Sequence, residues 1–324
     1  MKIAILGGTG YLGSYLVDTL IDHGHQPVLL VRPGSQRKIH RNDECIGIVG
    51  EIEQEDALRE AFSQCQAVIY NIGILREFPR QNITFESLQY TGACRAMDVA
   101  MNLGVERFLL TSANGVKPDG TAYQRTKYRA EEYLRSSGLV GTVFRPSVIF
   151  GDPRGRMEFA SQLYDEIIRL PFPAPLFHQG LIPFGAGRFR VSPIHVKNVA
   201  EIYIKALEDP NAAGKIYPLC GPDALEWRAI IKIIGRATGH NKWTLPVSAP
   251  MMKMVATILE GFPDFPLTKD QITMLLEGNI GDSRDVFNAY GIDPILFDEA
   301  SLSYLRDRWG TDSRGRDGIY HGFG

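Results

Sequence analysis

Several signals are missing from this sequence, and each absence excludes a class of protein. Lysine and arginine number 35 against 37 aspartates and glutamates, a net charge of −2. No global field therefore favours nucleic acid or an anionic membrane surface, and no nucleic-acid partner is expected. Only four cysteines occur, Cys45, Cys65, Cys94 and Cys220, with no C-x-x-C spacing. That suits free thiols in a reducing compartment better than a disulfide framework or a zinc site. Among the histidines only His23 and His25 lie close together, in an expected helix-to-strand loop, so no metal is expected. No apolar run approaches the ~18 residues of a membrane span. The chain enters a strand at once, its first charge followed by glycines and not by an apolar core, so no signal peptide is expected and the cytoplasm is the expected location.

What is present is the composition of a globular protein. The 324 residues are 44% hydrophobic and 22% charged, enough for one large or two modest domains. Short apolar runs at 2–6, 27–31, 45–49, 67–70, 107–111 and 141–145 alternate with helical stretches at 11–24, 54–64, 84–103 and 122–137. Repeated β–α units predict a Rossmann-type α/β fold, a doubly wound parallel sheet covered on both faces. The dinucleotide-binding domain is expected over 1–150, completed by about 189–218. There "FRVSPIHV" and "KNVAEIYIKALED" read as a strand and helix that could rejoin the sheet. Residues 151–188 and 219–309 are expected to form a smaller, mostly helical substrate or partner domain, with helices at 225–239 and 249–261. The proline- and aromatic-rich stretch 169–187 reads as a loop or lining segment. The tail 310–324 is expected to be poorly ordered.

The first β–α turn reads "GGTGYLG", with glycines at 7, 10 and 13. Between a strand and an amphipathic helix, such glycines allow a tight turn, close approach of backbone to a pyrophosphate, and tight helix–sheet packing. The helix N-terminus then offers unpaired N–H groups to the phosphates. Gly7, Thr9, Gly10, Tyr11, Leu12 and Gly13 are the candidate contacts. After the second strand comes "LLVRPGSQRKIHR". From Gln26 to Arg41 there is no acid to hold a ribose hydroxyl pair, whereas Arg32, Arg37, Lys38 and Arg41 are basic. A 2′-phosphate would meet cations here, so NADP(H) is the expected cofactor, with Arg32 foremost, Arg37 and Lys38 beside it, and NAD(H) the alternative.

Thr111 and Ser112 end the strand "RFLLTSANG" at the carboxyl edge of the sheet, where ligands bind in open α/β folds. The helix "TAYQRTKYRAEEYL" follows, with Tyr123 and Lys127 at i and i+4 on one face. A phenol with a pKa of ~10 is a poor acid or base near neutrality. A neighbouring ammonium and an oxidised nicotinamide would both favour the phenolate and bring it into range. Ser112 could orient the substrate oxygen. Against this stands Glu131, placed to hold Lys127 in an ordinary i,i+4 salt bridge worth ~0.3–0.5 kcal/mol.

Together these segments resemble an extended, atypical short-chain dehydrogenase/reductase, of the epimerase/dehydratase-like kind. Within that superfamily the chain is similar to the group containing the NADPH-binding accessory subunit of respiratory complex I and its bacterial relatives. The similarity covers roughly residues 1–308 through "GGTGYLG", "NIGIL", "FESLQYTGACRAMDVA", "RFLLTSANG", "AYQRTKYRAEEYL", "FRPSVIFGD" and "PLTKDQITMLLEGN". The last segment points to the complex I-like group in particular. The resemblance implies that Tyr123 and Lys127 match the catalytic pair, with Lys127 also on the nicotinamide ribose. Ser112 matches the serine position, Asn71 and Gly73 line the cofactor, and the backbone from Pro146 to Val148 borders the nicotinamide. One departure is Asn198, which replaces a family aspartate before "VA".

Two functions compete. One is an NADP(H)-dependent oxidoreductase or epimerase acting on an alcohol or carbonyl, the aromatic stretch 169–187 favouring an apolar small-molecule substrate. The other is a non-catalytic NADPH-binding scaffold or redox sensor, peripheral to a respiratory or other membrane complex. Its docking part would be C-terminal, with "APMMKMVATILEG" offering a methionine-rich face.

Overall fold

A computed structural model describes residues 1–180, 182–259 and 268–306. The first half alternates as the apolar runs dictate. β1 (Lys2–Leu6), α1 (Tyr11–Asp22), β2 (Gln26–Val31), β3 (Ile46–Val49), α2 (Glu55–Phe62) and β4 (Ala67–Tyr70) come first. α3 (Gly92–Asn102), β5 (Arg107–Thr111), α4 (Ala122–Ser136) and β6 (Gly141–Pro146) follow. The second half is more broken. It runs β7 (Ile149–Phe150), α5 (Phe159–Leu163), β8 (Ala174–His178), β9 (Arg190–Val191), β10 (Ile194–His195) and α6 (Val196–Glu208). It continues with β11 (Ile216–Leu219), β12 (Leu225–Glu226), α7 (Trp227–Ala237), β13 (Thr244–Ser248), α8 (Ala249–Leu259), α9 (Lys269–Glu277) and α10 (Arg284–Tyr290).

Seven strands form one parallel sheet in the order β11-β6-β5-β4-β1-β2-β3. The order reverses at β1 and β4, so a crevice opens there at the carboxyl ends of the strands. The central strands read as unbroken apolar runs because both their faces are covered: Ile3, Ile5, Leu109 and Phe144 pack under α1 and α6, and Ala4, Val68, Phe108 and Leu110 under α2, α3 and α4. The outer strand is not "FRVSPIHV". Its β9 and β10 are two-residue pieces that pair with β12 and β7, and the sheet is closed instead by β11, parallel to β6.

The smaller second lobe has its own core, in which Phe150, Tyr164, Trp227, Ile230, Ile231, Ile234, Phe297 and Leu302 are buried. Residues 169–187 are not a plain loop, for β8 pairs in parallel with β13 across five residues. The tail 310–324, and Glu260 and Gly261 at the end of the expected docking helix, lie outside the described residues. Among the described residues no helix is long and apolar enough to cross a membrane.

Candidate active and cofactor site

The glycine loop is shaped as a phosphate cradle requires. Gly7 has φ +84°, and a Cβ there would lie 2.6 Å from the Asn71 carbonyl oxygen. A Cβ on Gly13 would meet Gly7 O at 2.1 Å, so only glycine lets α1 descend onto β1. The N-cap of α1, Gly10, provides no side-chain cap, and the first-turn N–H groups are left for a ligand. Tyr11 turns away from this mouth. Its hydroxyl is buried near Gly151 with no hydrogen-bond partner among the described residues, and burial raises its pKa. Leu12 is in the core.

At the end of β2, Arg32, Arg37 and Lys38 are exposed, and none forms an ion pair among the described residues. Arg41 is spent elsewhere: it binds Glu44 through Nε at 2.7 Å and Asp22 through Nη1 at 2.5 Å. Asn71, at the end of β4, donates from Nδ2 to Gly7 O (3.4 Å) and accepts on Oδ1 from the Thr111 hydroxyl (3.1 Å), tying the tips of β1, β4 and β5 together.

A reciprocal capping box starts α4. Thr121 Oγ1 accepts from Gln124 N at 3.3 Å, and Gln124 Oε1 accepts from Thr121 N at 2.8 Å. This fixes the first turn and places Tyr123 and Lys127 one turn apart. Lys127 is buried, and its ammonium donates to the carbonyls of Thr111 (2.8 Å) and Ile72 (3.4 Å). It lies against Gly73, where a Cβ would stand 3.4 Å from Nζ. Burial brings its pKa down to about 8. The Tyr123 ring packs edge-on against Phe85, with centroids 5.7 Å apart, and its hydroxyl has no hydrogen-bond partner among the described residues.

Three expectations fail here. The lysine was expected to lower the Tyr123 pKa, but burial pushes it up to about 12. Lys127 points along the sheet edge to Thr111 O instead of toward the phenol. The surface salt bridge between Lys127 and Glu131 is also absent. Glu131 is fully buried and binds Arg145 through two hydrogen bonds of 2.9 and 2.5 Å. Ser112, finally, donates its hydroxyl to Glu131 and is not free to orient a substrate oxygen. Strand geometry is the reason. Successive side chains of β5 point to opposite faces, so Ser112 faces α4 while the Thr111 hydroxyl faces α6 and meets Tyr203 OH at 2.8 Å. Thr111 thus serves Lys127 through its carbonyl. The carbonyls of Pro146 and Val148 are likewise engaged, by the N–H groups of Asn114 (2.9 Å) and Ile194 (3.0 Å).

Other residues at the site gave no warning in the sequence. α9, from "PLTKDQITMLLEGN", straps the N-terminal end of α4. Asp270 accepts from Ala122 N (3.3 Å), Gln271 donates to Leu75 O (3.3 Å), and Glu277 accepts from Gln124 (2.9 Å) and Lys117 (2.8 Å). Asn114 binds Asn279 Oδ1 at 2.7 Å and takes no part near Tyr123. Asn198 does not cap α6, a role filled by His195; it bonds the backbone of Asp293 and Ile295. Of the aromatics of 169–187, Phe177 is buried, while Phe172 and Phe184 are 70% and 85% exposed. His23 and His25 face Glu201 and Glu208, and all four cysteines are free thiols. Among the described residues no group of three or more metal-ligating side chains is assembled.

A glycine cradle at a switch point, with a helix whose buried lysine reaches the tip of β5 and whose tyrosine stands one turn before it, is the arrangement of the short-chain dehydrogenase/reductase class. A family model described as NAD(P)H-binding matches residues 7–166. The chain thus carries an NAD(P)H-binding domain and is similar to proteins of the extended, atypical branch of that class, accessory subunits of complex I among them. It is 27% identical over 279 residues to the mitochondrial NADH dehydrogenase [ubiquinone] 1 alpha subcomplex subunit 9 of Dictyostelium discoideum, covering 83% of this chain and 73% of the relative. It is 24% identical over 309 residues to the mitochondrial NADH-ubiquinone oxidoreductase 40 kDa subunit of Neurospora crassa, covering 93% and 78%. Among solved structures it is similar to the Thermus thermophilus UDP-glucose 4-epimerase in complex with NAD. There the TM-score is 0.71 at 16% identity, over 96% of this chain and all of the other, a likeness of fold.

Proposed function

We propose that the protein binds NADP(H) and reduces a carbonyl, or oxidises the matching alcohol, with Tyr123 as the acid–base group. The observation that carries this reading is the pairing of buried Lys127, held on Thr111 O beside Gly73, with a Tyr123 hydroxyl on the same helical face that has no hydrogen-bond partner among the described residues. The glycine cradle and the uncapped N-terminus of α1 fit a pyrophosphate. Arg32, Arg37 and Lys38, exposed and without ion pairs among the described residues, fit a 2′-phosphate better than a bare ribose. The nicotinamide, when bound, supplies or takes the hydride. Lys127 positions the ribose side, and the protonated Tyr123 donates to the substrate oxygen as hydride arrives at carbon.

A second reading has its own support. Ser112 is locked onto Glu131, so the usual orienting hydroxyl is missing, and α9 is fastened across the Tyr123 end of α4. A scaffold that holds NADPH for stability and docks through its second lobe would tolerate both. The exposed Trp243, Met251 and Met254 support that docking role, as do relatives that are named as subunits of a respiratory enzyme. Denaturing the purified protein and identifying the released nucleotide tests the shared core of both readings. Turnover of NADPH with a panel of ketones, quinones and nucleotide sugars then separates them. We expect Tyr123→Phe to lower any such turnover by roughly 10²–10⁴-fold; turnover that survives the change removes Tyr123 from the chemistry.

A further inference from the structure

The loop between β7 and α5, "GDPRGRMEF", carries two arginines with different fates. Arg154 is neutralised: its guanidinium pairs with Asp18 at 2.7 Å and stacks on the Tyr15 ring at 3.7 Å. Arg156, two residues on and half-buried, forms no ion pair among the described residues. It spends its donors on three main-chain carbonyls instead. Nε binds Thr9 O at 2.7 Å, Nη2 binds Lys38 O at 3.1 Å and Nη1 binds Arg154 O at 3.2 Å.

Two of those carbonyls belong to the walls of the expected nucleotide site. Thr9 is inside the glycine loop, and Lys38 ends the short turn Gln36–Lys38 that carries the cations offered to a 2′-phosphate. That turn has no side-chain cap of its own and no buried residue; the burial of Ile39 and the ion pairs of His40 with Asp18 and Arg41 with Asp22 anchor the chain just after it, and Arg156 binds the turn itself, at Lys38 O. The planar fork of a guanidinium can reach two loops from one point, which an ammonium cannot do. A half-buried cation resting on carbonyl dipoles alone is also poorly compensated. It adds positive potential between the glycine loop and the basic turn, where a phosphate would be placed.

We propose that Arg156, delivered from the second lobe, is a specificity-determining positioning residue that staples the Arg37–Lys38 turn to the glycine loop and so sets the preference for a 2′-phosphorylated dinucleotide. This rests on the NADP(H) reading above and extends it to a residue outside the first β–α–β unit. It also gives the second lobe a part in cofactor choice, because the loop that carries Arg156 leads directly into α5 of that lobe.

The test is a fluorescence titration of the full chain with NADPH and with NADH at one ionic strength, for wild type, Arg156→Ala, Arg156→Lys and the neighbour control Arg154→Ala. Limited trypsin digestion reads cleavage after Arg37 and Lys38 in the same four proteins. We expect Arg156→Ala to weaken NADPH by about tenfold or more and NADH by less than about threefold, and to speed cleavage of the turn. Arg156→Lys should restore neither, and Arg154→Ala should keep the wild-type selectivity. If Arg156→Ala does not fold, Arg156→Lys carries the comparison. An unchanged NADPH-to-NADH ratio, or equal losses for both nucleotides, would overturn the assignment of Arg156 and leave the cofactor reading standing. Wild type that binds NADH as tightly as NADPH, or binds neither, instead removes the cofactor reading and this inference with it.

Discussion

At the scale of single residues, the site is governed by which buried charge finds a partner. Lys127 has carbonyls but no carboxylate, and burial brings its pKa down to about 8. Two consequences follow from the sign. Between about 8 and its ordinary value of 10.5 the unfolded chain holds a proton that the folded chain has lost, so stability rises with pH across that window. If Lys127 holds the nicotinamide ribose as proposed above, nucleotide affinity moves the other way, because its ammonium discharges above pH 8. Lys127→Met should weaken NADPH binding at pH 7 by about tenfold and flatten both profiles; titrations and melts from pH 7 to 10 check this. Glu131 is the opposite case, a buried carboxylate matched to Arg145 and Ser112. Glu131→Ala leaves Arg145 without its partner and should cost ~3–5 kcal/mol, whereas Ser112→Ala should cost about 1 kcal/mol and leave nucleotide binding intact. Denaturant melts with a parallel NADPH titration separate the two. A loss of binding in Ser112→Ala would return that serine to the site.

At the scale of elements, the glycine turn and α1 act as one unit. Gly13→Ala puts a methyl 2.1 Å from Gly7 O, where the obstacle is backbone and cannot rotate away. It should destabilise by ~1–3 kcal/mol and abolish retention of nucleotide through purification. Gly24→Ala is the control, since its φ of +75° is strained but nothing lies within 4 Å. It should cost about 1 kcal/mol with nucleotide retained. The elements themselves were unequally legible. Each of the six leading strands is found within a residue of its apolar run; for the inner strands this is because a strand buried on both faces must be apolar along its length, whereas β3 is an edge strand with Ile46 and Val49 exposed. β8 and β13 escaped notice because Pro175 and Pro246 sit inside them, and proline argues against a ladder. A two-stranded ribbon tolerates them, since neither strand carries a second strand on its other edge.

At the scale of the whole molecule, the two lobes meet around buried polar groups. Glu158 caps α5 and accepts from Tyr304 OH at 3.2 Å, and His195 starts α6 edge-on to Phe150. Burial and nearby Lys197 bring the His195 pKa down to about 4. Because that lies below the unfolded value of 6.5, stability is present above about 6.5 and is lost as pH falls through 4, by up to ~3 kcal/mol. Glu158, whose carboxyl is raised by burial, works in the opposite sense below its own titration. His195→Asn, which retains a helix-capping oxygen, should therefore flatten the loss of stability between pH 6.5 and 4 in thermal melts. A profile identical to wild type would show that other groups set the acid limit.

The sequence by itself determined the parallel sheet, the phosphate turn and the helix that carries Tyr123 and Lys127, because these depend on short-range periodicity and on glycines whose neighbours are close in the chain. Tertiary structure decided what each polar group in the crevice is free to do. Whether Ser112 faces a substrate or Glu131, whether Lys127 meets a carboxylate or a carbonyl, and whether Arg156 reaches Thr9 and Lys38 all depend on residues from 4 to 147 positions away. A hydroxyl or an ammonium looks the same in any sequence context; only the packing of one element on another settles which partner it meets.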